Sequence, residues 1–301
     1  MAQRKKRETK KEVKKNILWL DEVDLWKQYL IAFVLISIPL LYFLSPYAFE
    51  GEVPGGTDVV GSRGNVNLIL NYEEQSGETA FWNPALFGGM PIYSRENIHV
   101  IHIDTLLYFL GKLFYHFYWY LLIGGMGLFL FLKQKKIPWY LAVVPAVAFA
   151  ILPDWQAMIG NGHFSKIRAI MILPWLLASF DFFVERKTWL SAGLFALAFS
   201  WLVRTQHFQI LFYGILMLLF LYIAPVLKLL LEKKYKAFAG FAIKFSIAVI
   251  LTVMTAAQPL LTTQEYAQYS TRGGNPVDIG EKAKSAQESG GVSFDYATQW
   301  S

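Results

Sequence analysis

HFQILFYGILMLLFLYIAPVL, residues 207–227, contains no Asp, Glu, Lys or Arg. A helix needs about 20 mostly apolar residues to cross the hydrocarbon core of a bilayer. The stretch therefore reads as a membrane span, and it decides the fold class. Six further stretches read the same way, near residues 28–49, 115–132, 137–153, 168–184, 188–203 and 236–258. The expected fold is all-α, a polytopic membrane protein of seven transmembrane helices with a long extracytoplasmic first loop that holds interfacial helices.

Composition agrees with this. The 301 residues are 55% hydrophobic, 17% aromatic and 17% charged, with a mean hydropathy of +0.36. Average soluble domains are roughly 45–50% apolar and about 25% charged. A disordered chain is excluded, and an ordinary soluble enzyme is a poor fit. The absence of Cys excludes disulfides, zinc-thiolate sites and thiol catalysis.

Net charge is +6, but it resides in one tail. Residues 1–15 hold eight Lys/Arg and two Glu, and the remainder balances at 20 basic and 20 acidic residues. The body thus shows no basic face for nucleic acid, and the tail suits anionic lipid and topology. Residues 1–15 and the connections Lys133–Lys136, Glu185–Lys187 and Lys228–Lys236 hold 17 Lys/Arg, whereas the opposite connections and residues 259–301 hold 8. Lys and Arg collect on the cytoplasmic side, so the N-terminus is expected inside and residues 259–301 outside. The organisation is a basic cytoplasmic tail (1–27), a transmembrane domain (28–258, with outer loop 50–104) and an extracytoplasmic segment (259–301). The first span is too long for a cleaved signal peptide and reads as an uncleaved anchor. The segment 259–301 starts a new aromatic pattern (Phe294, Tyr296, Trp300) without closing it, as expected of the N-terminal part of a longer protein.

The chemistry concentrates on the expected outer face. Loop 50–104 carries eight acids against Arg63 and Arg95, and includes Gly55-Gly56-Thr57-Asp58 and FWNPALFGGMP at 81–91. Long ordered loops are usually functional or linkers, and this one is not linker-like. Its Phe81, Trp82, Phe87 and Met90 suit a segment at headgroup depth, either as packing or as a lid over a site. Asp58 reads as a turn former or as a catalytic carboxylate. Asp154 and GNGHFSKIR (160–168) put an acid, His163, Lys166 and Arg168 close together at the membrane surface. Lys166 and Arg168 either snorkel or grip an anionic headgroup. Arg204-Thr205-Gln206-His207 adds a cation, an amide and an imidazole. His99 and His102, with Glu96 and Asp104, have metal-like spacing, but interfacial packing explains them better. No HExxH, Walker A or GxSxG pattern occurs, which argues against zincin, ATP-driven and α/β-hydrolase chemistry.

Taken together, GGTD (55–58), FWNPALFGGMP (81–91), GNGHFSKIRAIMILPW (160–175), RTQHFQ (204–209) and FDYATQWS (294–301) resemble the YfhO family of bacterial membrane proteins, placed with the GT-C glycosyltransferases. The resemblance extends from about residue 28 to the end. It implies transfer of a sugar from a polyprenyl-phosphate-sugar donor to an envelope glycopolymer or lipid acceptor on the outer leaflet of the bacterial cytoplasmic membrane. It also implies that Asp58 is the base or acceptor-orienting group and that Asp154 is a second acidic position. His163, Lys166, Arg168, Arg204 and His207 are substrate-binding candidates from charge and location alone. No cofactor is assigned, and a divalent cation is compatible with the implied chemistry. The other open reading is a transporter or flippase of lipid-linked saccharides, with the same cations as a headgroup port.

Overall fold

The computed structural model describes residues 19–86, 89–92 and 103–267. Helix α1 (Leu25–Phe43) is followed by the single turn α2 (Ser45–Ala48). The long first loop holds α3 (Thr57–Ser76), strands β1 (Trp82–Asn83) and β2 (Met90–Pro91), and α4 (Ile103–Leu113). The rest is helical: α5 (His116–Gln134), α6 (Trp139–Ala150), α7 (Asp154–Gly160), α8 (Phe164–Arg186), α9 (Trp189–Arg204), α10 (Phe208–Leu231), α11 (Tyr235–Thr255) and α12 (Ala257–Ala267). The protein is an all-α, multi-pass membrane protein. Residues 1–18 of the basic tail, His99, His102 and the segment from 268 onward lie outside the described residues.

Six segments are long and apolar enough to span: α1, α5, α6 with α7, α8, α10 and α11. The stretch read at 188–203 forms α9, which is apolar but shorter. Its 16 residues rise about 24 Å, against a core of about 30 Å. Tight connections to α8 and α10 nevertheless make it run between their ends. Its start is fixed by a reciprocal cap, in which Ser191 N–H donates to Thr188 Oγ1 (3.2 Å) and Thr188 N–H to Ser191 Oγ (3.0 Å). The first span ends at Phe43 instead of 49, because Pro46 has no N–H to continue the helical ladder and opens α2 instead.

The centre of the bundle is α5 against α8, and glycines on α5 let its neighbours in. A Cβ on Gly124 would collide with the Met171 sulfur, one on Gly127 would come within 2.5 Å of Trp175 Nε1, and one on Gly125 within 3.1 Å of Ile36 and Ala146. On one side of α5 helix α8 therefore comes closer than a side chain permits, and on another α1 and α6 pack tightly at Gly125. Between helices in lipid, small residues supply the packing that hydrophobicity cannot. The Trp175 indole closes the seam by donating to the Ile123 carbonyl at 2.8 Å.

Alternating helices give the bundle two ends. At the lysine-rich end, the buried carboxylate of Asp181 pairs with Lys135 and accepts from Tyr222 OH at 2.8 Å, joining α8, α5 and α10. Lys133 Nζ donates to Gln28 Oε1 (2.8 Å) and the Trp139 indole to Leu20 O (2.7 Å), which binds α1 to the same end. The opposite end carries the long first loop and is called the loop end. The outer faces of α10 and α11 are apolar and exposed, with Phe220 75% and Met254 67% accessible, as lipid-facing surfaces are.

Candidate functional site

Every described site candidate lies at the loop end, and one backbone contact organises it. Gly56 N–H donates to Gly160 O at 2.9 Å, seating the first turn of α3 on the turn that joins α7 to α8. Each side of this docking needs one glycine, Gly56 and Gly162. A Cβ on Gly56 would strike the Gly160 carbonyl. Gly162 has φ +83°, and a Cβ there would come within 2.8 Å of Val59 Cγ2 and 3.7 Å of Asp58 Cβ. The contact puts Asp58 against Gly162, one residue before His163. Asp58 and His163 are both exposed, so the junction opens to solvent.

Lys166 and Arg168 occupy the first turns of α8, where the helix dipole is positive and no acid is present. Cations are disfavoured at a helix N-terminus, so the helix dipole gives no reason for them. Lys166 makes no hydrogen bond or ion pair among the described residues. Arg168 faces His116 at the start of α5. His207 lies close enough to Lys166 and His163 to feel both electrostatically. Its pKa lies below the usual imidazole value, first through burial, then through the Lys166 and His163 charges acting against its hydrogen bond to backbone. The ring is thus held neutral, and Nδ1 accepts from Ile210 N–H (3.4 Å) to cap α10.

Two candidates stand apart from this group. Arg204 is buried and directed at the C-terminus of α11, where Nη1 donates to Thr255 O at 3.3 Å, with a Ser200–Thr255 hydroxyl pair (2.7 Å) beside it. A cation at a helix C-terminus is favourable, so Arg204 holds α9 to α11. Its Nε is buried with no partner among the described residues. Asp154 opens α7 and is exposed, about 9 Å along the helix from Gly160. The structure therefore gathers Asp58, His163, Lys166 and His207, sets Arg168 beside His116, and leaves Asp154 and Arg204 at the margins.

Sequence reading overlooked Gly162 as a packing position and His116 as the neighbour of Arg168. The glycine had a visible signal in GNGH; His116 had none. The buried Tyr115 hydroxyl, at the head of α5 and without a partner among the described residues, was also missed. Among those residues no group of three or more His, Asp or Glu converges as a metal site.

No protein-family model matches the chain, and neither a curated protein nor a solved structure matches it. What fold and site define is a class: a multi-pass all-α membrane protein with a polar, cation-bearing site at the loop end of its helices.

Proposed function

We propose that the protein is a membrane glycosyltransferase that moves a sugar from a polyprenyl-phosphate-linked donor to a cell-envelope acceptor on the outer leaflet. The proposal extends to orientation and place: N-terminus cytoplasmic, loop end extracytoplasmic, in a bacterial cytoplasmic membrane. The observation that carries it is the seating of Asp58 on the Gly162–His163 turn, with the imidazole of His207 near both His163 and Lys166.

Each part has a chemical task in such a reaction. Lys166 and Arg168 meet the charge that develops on the leaving lipid phosphate. The positive N-terminus of α8 adds to them. Asp58 accepts the proton of the attacking acceptor hydroxyl, or orients that hydroxyl. A site at the membrane surface allows a lipid-anchored donor and a water-borne acceptor to meet.

Asp58→Asn tests the reading. The change keeps shape and removes the base, so sugar transfer falls by about 10²–10⁴-fold while donor binding is retained. Transfer at the parental rate would remove Asp58 from the mechanism. A lipid-linked-saccharide transporter, by contrast, would tolerate the change and move its cargo normally.

A further inference from the structure

A second recess lies further along α3 from Asp58, and the proposed mechanism leaves it unused. It is a half-open cleft of about 750 Å³ between the last turns of α3 and the segment leading into β1. Leu68, Tyr72, Glu78, Phe81 and Trp82 line it. From Asp58 to Tyr72 is about 21 Å along the helix axis.

The cleft is built rather than left over. Ala80 N–H donates to Glu73 Oε1 (3.0 Å), Tyr72 OH donates to Glu78 Oε2 (3.3 Å), and Ile92 N–H donates to Phe81 O (2.9 Å). The Trp82 indole lies over Gly89, whose φ of +120° and lack of a side chain leave room for the ring. The Trp82 ring is thus held in place while 55% exposed, beside Phe81 at 64%. Rigid aromatic faces held open to solvent offer stacking surface at little entropic cost.

Charge selects the occupant. Among the described residues no Lys or Arg lines the cleft, Glu78 lines it and Glu73 holds its Ala80 wall. An anionic lipid surface or a phosphate would be repelled there. A neutral polyhydroxyl ligand fits: sugar C–H faces stack on Trp82 and Tyr72, and hydroxyls donate to Glu78.

We infer that this cleft is a saccharide-binding site, and that it holds a distal sugar unit of a polymeric acceptor whose reacting unit lies at Asp58. The acceptor assignment rests on the transferase reading; the saccharide chemistry rests on the cleft. Binding energy gained at such a distance from the reacting centre can position the acceptor for attack.

The test uses the full chain in phosphatidylcholine nanodiscs, without donor, titrated with maltohexaose and with chitohexaose. Saturable binding of at least one is expected. Trp82→Ala should weaken it tenfold or more, Trp82→Phe should keep most of it, and Glu78→Gln should weaken it several-fold. If Trp82→Ala fails to insert, the Glu78→Gln titration decides. Absence of saturable binding to both sugars, or unchanged affinity in these variants, overturns the inference. So does fluorescence quenching by brominated phosphatidylcholine that disappears in Trp82→Phe, because it would put the ring in the bilayer. Binding is measured here without donor, whereas the Asp58→Asn assay measures transfer, so the transferase reading and the cleft fail separately.

Discussion

The amide of Gly56 and the carbonyl of Gly160 are joined by a 2.9 Å hydrogen bond, although α3, α4, α5 and α6 all lie between them in sequence. This bond fixes where the first loop re-enters the bundle. It also determines which residue Asp58 faces.

The two glycines of the α7–α8 turn should therefore respond differently to alanine. At Gly162 a methyl group meets Val59 on a backbone at φ +83°, so Gly162→Ala should cost about 1–3 kcal/mol and loosen the first turn of α3. At Gly160 a Cβ meets nothing within 4 Å, so Gly160→Ala should be silent. Thermal unfolding and proteolysis of the loop in detergent measure both. Equal effects from the two would mean that α3 does not dock as described.

At the other end, Asp181 is a buried carboxylate, with its side chain only 3% exposed while Lys135 remains 41% exposed. Lys135→Met leaves that charge uncompensated and should destabilise the bundle by about 3 kcal/mol, the low end for breaking a buried pair because Lys135 is partly wet. Adding Asp181→Asn should recover much of the loss. A double variant as unstable as the two losses summed would show that the residues do not interact.

His207 makes stability depend on pH. Its folded-state pKa is depressed, chiefly by burial, so the neutral ring is the form that the fold favours. This contribution is intact above the unfolded pKa of about 6.5 and is lost as pH falls from there toward the folded value. Protonation also removes the Nδ1 acceptor that caps α10. A melting midpoint that declines between pH 7 and 5 is expected, with a shallower decline in His207→Asn, which caps without titrating. Identical pH profiles would exclude the His207 contribution.

Orientation can be read by thiol labelling, since the chain has no Cys. In intact cells an impermeant maleimide should reach Asn65→Cys in α3 and should reach Lys136→Cys, between α5 and α6, only after lysis. The opposite pattern would invert the proposed topology and move the site to the cytoplasm.

The helices were legible because membrane burial is a local property. A stretch such as 207–227 declares itself by composition over the length of one crossing, and α10 begins at Phe208 accordingly. Local chemistry also sets boundaries: Thr188 opens the stretch read at 188–203, whereas Pro46, inside the stretch read at 28–49, ends α1 early. The polar turns could be assigned to one end by counting crossings, and so the site's members were named before its geometry was known. Tertiary structure alone decided their neighbours. Nothing in GGTD announces that Asp58 meets Gly162, nothing in RTQH sends Arg204 to the end of α11, and nothing in FDFF gives Asp181 its lysine. Those outcomes depend on which helix faces which, and the close approach at Gly124, Gly125 and Gly127 sets that. Composition fixes how deep a segment sits in the membrane; pairwise steric fit between distant segments fixes its neighbours, and that information is absent from either segment alone.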